Sequence, residues 1–304
     1  MSQKVYEIIT ERITQALEAG TVPWHKPWKV AGVADSNLIS GKAYRGINVW
    51  LTMATTLEKG FSSPYWVTFK QCQSLGGRVK KGEKGTPIIF WNFKEFVEES
   101  KEGGEPKVKK IPMARYYTVF NADQCEGIEA KIPKPAWEGK TFNPIAEAEK
   151  IVAGFQAKPT IKEGGSRACY SPSRDTVTMP PREAFDSPAE YYSTLFHELT
   201  HSTGHATRLA REGVIENHFF GDESYSKEEL VAEMGAAFLS GMAGIENATV
   251  SNSAAYIKHW LGALKNDKRL VITAAAQAQK AADLILGVTF DKQEEEPKGE
   301  DLAA

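Results

Sequence analysis

Apolar residues near the start of the chain, Val5, Ile8, Ile9, Ile13, Ala16 and Leu17, recur at helical spacing, and Gly20 follows as a stop. The spacing predicts an amphipathic helix over residues 3–19. After Pro23 and Pro27 the pattern shortens to β-rich runs at 64–70 and 86–97. Between them the Gly- and Lys-rich segment 76–85 reads as a turn. Residues 111–120 read as a further strand, and 98–110 as an exposed charged loop.

Residues 129–142 carry Pro133 and Pro135 without periodicity and mark a linker. Asn143 then caps and Pro144 opens a helix with Ile145, Ala148, Ile151, Val152 and Phe155 as its apolar positions. Beyond it the pattern is mostly helical, with one strand expected over Ala168 to Met179. Ser187-Pro188-Ala189-Glu190 has the N-cap, N1 proline and N3 glutamate of a capping box, so a helix should start there. The expected fold is α+β in two domains: 1–130, a linker at 131–142, and a mainly helical unit with a small sheet at 143–288. A charged tail, 289–304, has too few large apolar residues to fold.

Length and composition agree. At 304 residues the chain exceeds the usual span of one core, and 41% hydrophobic with 25% charged residues fits a globular protein. No apolar stretch approaches the ~18 residues of a membrane span, and the first residues lack a signal-like apolar region, so a cytoplasmic protein without a membrane partner is expected. Cys72, Cys125 and Cys169 form no CxxC pair, which suits a reducing compartment. The net charge of -2 conceals an asymmetry. Residues 1–137 hold 20 Lys and Arg against 14 Asp and Glu, a net +6, while 138–304 hold 17 against 25, a net -8. Only the first part is suited to a polyanion.

The helix starting near Ser187 contains His197-Glu198-Leu199-Thr200-His201, the HExxH arrangement of zinc peptidases. Imidazoles four residues apart share one helical face and can reach one divalent ion, with Glu198 beside it as general base. Such a site activates water for attack on a polarised peptide carbonyl. A third protein ligand is needed. His205, His218, Glu229 and Glu233 compete for that place, and His205 sits too far along the helix unless Gly204 breaks it. A metzincin would have histidine where Thr207 stands. The Glu-x-x-Ala pattern at 229–232 resembles the second motif of gluzincin-type peptidases. That resemblance makes Glu229 the ligand and Glu233 the acid that orients a ligating histidine. Zinc is the expected ion, with manganese accepted by the same nitrogen and oxygen donors. Tyr225, His218 and His205 are candidate oxyanion stabilisers.

In the basic half, Trp24, Lys26, Trp28 and Lys29 interleave aromatics with cations, the combination that binds single-stranded nucleic acid. Tyr44, Arg45 and Lys70, and the turn carrying Arg78, Lys80, Lys81 and Lys84, have the same character. The segments Leu-Glu-Ala-Gly-Thr-Val-Pro-Trp (17–24), Tyr-Arg-Gly-Ile-Asn (44–48), Thr68-Phe69-Lys70-Gln71, Lys81-Gly82-Glu83-Lys84-Gly85 and Val119-Phe120-Asn121 with Gln124 resemble the N-terminal domain of ArdC-type antirestriction proteins. The second half is similar to their metallopeptidase-like domain through Tyr170, Asp175, Met179-Pro180, the HELTHSTGH run, Arg208-Leu209 and residues 228–233. The resemblance spans roughly 3–287. It implies a plasmid-borne protein that binds single-stranded DNA and shields incoming DNA from host restriction during conjugation, with a second domain like the zincin fold of SprT-like peptidases. Two other functions stay open: a DNA-dependent metalloprotease acting on DNA-bound proteins, and a direct inhibitor of restriction endonucleases.

Overall fold

The computed structural model describes residues 2–24, 34–98, 107–133, 144–164, 166–215, 223–245 and 254–288. Lys26, Trp28, Lys29, Asn143, His218 and the tail 289–304 lie outside them, as does most of the expected linker. Helix α1 (Ser2–Glu18) buries Val5, Ile9, Ile13 and Leu17 along one stripe and ends at Gly20, whose φ of 77° is the left-handed conformation of a helix stop. Strand β1 (Ser36–Asn37) follows, then helix α2 (Ile47–Lys59), which the apolar pattern did not announce. Its polar positions Asn48, Thr52, Thr55 and Lys59 recur at helical spacing, but both threonines are buried, with hydroxyls bonded back to carbonyls of the helix.

The first sheet runs β1, β2 (Tyr65–Thr68), β5 (Lys107–Asn121), β4 (Thr86–Glu98). Between β2 and β4 lie helix α3 (Phe69–Ser74), closed by a Thr68–Gln71 capping box, and β3 (Arg78–Val79), which pairs with β6 (Cys125–Glu126). β4 and β5 pair from Thr86 opposite Val119 to Glu98 opposite Lys107. The expected charged loop at 98–110 is therefore shorter, because the backbone ladder continues through residues 107–110.

In the second half, α4 (Pro144–Gly154) precedes a three-stranded sheet of β7 (Thr160–Glu163), β9 (Thr176–Met179) and β8 (Cys169–Ser171). The single strand expected over 168–179 is two antiparallel strands. Pro172 opens a 3-10 turn between them, and Asp175 adopts a left-handed φ of 45° that ends it. Helices α5 (Pro188–Thr203), α6 (Glu212–Ile215), α7 (Glu223–Ala243), α8 (Ala254–Asn266) and α9 (Leu270–Leu286) complete the described chain.

The basic and acidic halves meet in one apolar core. Trp24 lies edge-on to Trp50 at 6.5 Å and to Trp260 at 5.2 Å, and Trp50 rests on Phe238 at 4.5 Å. Polar contacts cross the same boundary: Arg45 pairs with Asp283 at 2.5 Å, and the Gly46 amide donates to Gln279 Oε1. A second, smaller cluster gathers Val67, Cys72, Ala122, Cys125 and Ile128 under α3.

Candidate metal centre

Local chemistry sets α5 in place. The Ser187 hydroxyl accepts the Glu190 amide at 3.2 Å and Pro188 supplies a preset N1 residue. Glu190 in turn accepts from the Asp186 amide, one residue before the N-cap expected of a capping box. The helix ends at Gly204, where a Cβ would stand 2.4 Å from a Val214 methyl. His205 lies beyond this end and its Nδ1 meets the Thr207 hydroxyl at 2.8 Å, away from the histidine pair.

α7 approaches α5 closely because Gly235 has no side chain: a Cβ there would lie 2.4 Å from Thr200 Cγ2. This crossing carries Glu229 to the histidines. His197 Nε2 and His201 Nε2 are 3.1 Å apart, and the two Glu229 oxygens lie 3.5 Å and 3.4 Å from them. Among the described residues, His197, His201 and Glu229 form the group whose ligand atoms all fall within 4.8 Å of one another. Two imidazole nitrogens and one carboxylate, with a side left open, fit a divalent ion of tetrahedral preference. Glu198 is buried on the same helix.

The outer nitrogens of the imidazoles are turned to other acids. His201 Nδ1 lies 3.2 Å from Glu228 Oε1, and His197 Nδ1 lies 4.0 Å from Glu233 Oε1. Glu233, expected to orient a ligating histidine, stands beside His197 at a distance too long for a hydrogen bond, while Glu228 was not singled out from the sequence. Glu228 is itself clamped by Arg211, through Nη2 to Oε1 at 2.6 Å and Nε to Oε2 at 2.9 Å. Arg211 also donates to the Thr203 hydroxyl and the Thr200 carbonyl. No spacing rule links a loop arginine to a glutamate 17 residues later, so this pair had no sequence signal.

Burial disfavours the imidazolium of His201, but hydrogen bonds to Glu228 and Glu229 outweigh it and lift its pKa to about 10. Burial raises Glu229 while the two imidazoles pull it further down, well below the usual carboxylate range. In the metal-free cluster an imidazolium and a carboxylate thus neutralise each other, and a divalent ion would bind there in place of a proton. Nearby, Arg208 grips Asp175 with both Nη atoms and donates to the Ser202 carbonyl and Tyr170 hydroxyl, tying the β8–β9 turn to the end of α5.

Residues 146–277 match the zincin-like metallopeptidase family and residues 3–120 match the N-terminal domain of the anti-restriction factor ArdC. The Mn(II)-bound crystal structure of the antirestriction protein ArdC from plasmid R388 is 40% identical, covers 93% of this chain and 97% of its own, and superposes with a TM-score of 0.73. The chain belongs to the ArdC antirestriction family. The uncharacterized protein y4eC of Sinorhizobium fredii is 33% identical over 97% of this chain and 95% of its own length. A DNA primase TraC of Escherichia coli is 38% identical over 92% of this chain, which spans only 20% of that protein. The zincin-like domain and the Mn(II)-bound relative indicate a divalent metal, and among the described residues His197, His201 and Glu229 are the group brought together that could hold one.

The ArdC-type N-terminal half places the expected DNA-contacting residues unequally. Trp24 is 0% exposed, so it packs between the halves and offers no face to a base. Tyr44 is buried as well. Arg45 is held by Asp283, Arg78 is exposed but paired with Glu126 at 2.5 Å, and Lys80 donates to the Asp123 carbonyl. Lys70, Lys81 and Lys84 are exposed. Burial takes Trp24 and Tyr44 out of reach of a base, whereas Arg78 and Lys80 stay at the surface beside their partners.

Proposed function

We propose that this protein binds single-stranded DNA in the cytoplasm and shields incoming plasmid DNA from host restriction during conjugation. Its second half carries a metal-dependent peptidase site. The observation that carries this reading is the convergence of His197, His201 and Glu229 beside buried Glu198 in a chain whose other half is of ArdC type and net +6. In this reading His197, His201 and Glu229 hold the ion, zinc first and manganese second. Glu228 holds the His201 imidazole, Glu233 stands beside that of His197, and Glu198 takes the proton of the attacking water. A divalent ion bound there supplies Lewis-acid polarisation of a peptide carbonyl and a water of lowered pKa. Among the described residues no helix is long and apolar enough to cross a membrane.

A DNA-dependent protease acting on DNA-bound proteins is the second reading, and Glu198 favours it because metal binding alone needs no general base. Direct inhibition of restriction endonucleases has no residue that points to it. Purified wild type and Glu198→Gln, each loaded with zinc or manganese, separate the readings. The variant should keep its metal, its affinity for single strands and its protection of them from nuclease, and lose any cleavage of itself or of DNA-bound proteins. Loss of protection together with cleavage would make proteolysis the antirestriction activity, and absence of single-strand binding in the wild type would overturn the proposal.

A further inference from the structure

Burial of Trp24 and Tyr44 removes two of the rings expected to stack on bases, yet the N-terminal half does expose aromatic rings elsewhere. Phe69, at the start of α3, is 50% exposed, and Tyr116 on β5 is 48% exposed. Phe120 on β5 is half-buried and meets Phe69 edge-on at 6.5 Å. The β5 register puts Tyr116, Thr118 and Phe120 on one face beside Ile89, Pro87 and Val67; Ile89 and Val67 are buried, so the open part of that face is Tyr116, Thr118 and the accessible part of Phe120. Four strand residues separate the outer rings by about 13 Å.

Exposed lysines neighbour these rings along the chain. Lys70 follows Phe69 directly. The Lys81–Gly85 turn reaches the rings through Gly85, where a Cβ would stand 2.2 Å from Thr118 Cγ2 and 3.0 Å from Phe120 Cζ. Only glycine lets the turn lie this close, and Lys81 and Lys84 are exposed beside it. A protein-binding patch of exposed rings tends to be poor in lysine, whereas single-stranded nucleic acid offers a π-face and a phosphate at every nucleotide. A duplex stacks its bases on one another and leaves no such face.

We infer that single-stranded DNA is held on the exposed part of this face of β5, with Phe69, Tyr116 and Phe120 stacking on bases and Lys70, Lys81 and Lys84 meeting phosphates. The inference rests on the single-strand-binding function proposed above and locates it. It moves the site from the Trp24–Lys29 segment to the sheet and retains the basic turn.

Fluorescence anisotropy of the full chain with labelled oligo(dT) and a mixed-sequence oligonucleotide tests it. Phe69→Ala and Tyr116→Ala should each weaken both probes by roughly 5- to 150-fold, the cost of one lost stack. Because both rings are about half exposed, melting temperature should change little, and Phe69→Tyr should retain binding. Replacing Lys70, Lys81 and Lys84 together by Gln should flatten the log–log salt dependence by about two units. Wild-type affinity in both alanine variants would overturn the sheet-face site while single-strand binding itself stood. No binding by the wild type would instead overturn the function on which the inference rests. Loss of affinity for oligo(dT) with mixed sequence unaffected would show base reading in place of stacking and overturn it too.

Discussion

Glu228 Oε1 lies 3.2 Å from His201 Nδ1 and 2.6 Å from Arg211 Nη2, so one carboxylate joins a metal-binding imidazole to a buried guanidinium. The arrangement holds the ring at its outer nitrogen and leaves Nε2 facing His197 and Glu229. A carboxylate at that position also raises the basicity of the imidazole as a ligand.

Replacing Glu228 by Gln is expected to weaken zinc or manganese binding by roughly 10- to 100-fold, the usual effect of losing a partner behind a ligating histidine. It should also lower metal-free stability by about 3–5 kcal/mol, because Arg211 is left as a buried charge without its counterion. Competition against a chelator measures the first effect and denaturant unfolding the second. Unchanged metal affinity would show that Glu228 serves Arg211 alone.

Trp24→Ala should destabilise the whole chain by about 3–5 kcal/mol, the cost of emptying a fully buried aromatic site. The loss should appear in both halves together, since Trp24 packs against Trp50 and Trp260. Affinity for single strands per folded molecule should not change. Thermal unfolding followed by probes in each half, with a binding titration at low temperature, checks both statements. Independent melting of the two halves would contradict the shared core.

Asp35 gives the pH prediction. Burial pushes its pKa up to about 7, against the smaller opposing effect of contacts with Thr52 and Trp66. The folded chain therefore keeps a proton that the unfolded chain gives up near pH 4, and linkage makes stability fall as pH rises from about 4 to about 7. Asp35→Asn, which stays neutral, should match the wild type near pH 4 and exceed it above pH 7 by an amount on the order of 4 kcal/mol at most. Denaturant titrations of both proteins from pH 4 to 8 measure the difference. A constant difference across that range would show that Asp35 is ionised throughout.

Features encoded within a few residues were legible before any coordinates. The i,i+4 pair His197 and His201 needs only one helical turn, and Ser187-Pro188 starts that helix through its own hydroxyl and ring. The stripe of α1, the β4 and β5 runs and the charge asymmetry are likewise local or additive properties. α2 escaped because its polar stripe is largely threonine, a β-branched residue that favours strands, and the threonines are buried with their hydroxyls bonded back to the helix. The β8–β9 hairpin escaped because its turn depends on the left-handed Asp175, a residue pinned by Arg208 from 33 positions away.

Tertiary structure decided which glutamate faces which histidine, and for a physical reason. Glu228, Glu229 and Glu233 lie on one helix, and only the angle at which α7 crosses α5, permitted by Gly235 against Thr200, assigns Glu229 to both Nε2 atoms, Glu228 to His201 and Glu233 to His197. Burial is equally a property of the assembled chain. Trp24 and Phe69 both stand beside lysine-bearing segments in the sequence, but one is enclosed by Trp50 and Trp260 and the other faces solvent. Residue type states what a side chain can do, and packing between residues hundreds of positions apart determines whether a ligand can reach it.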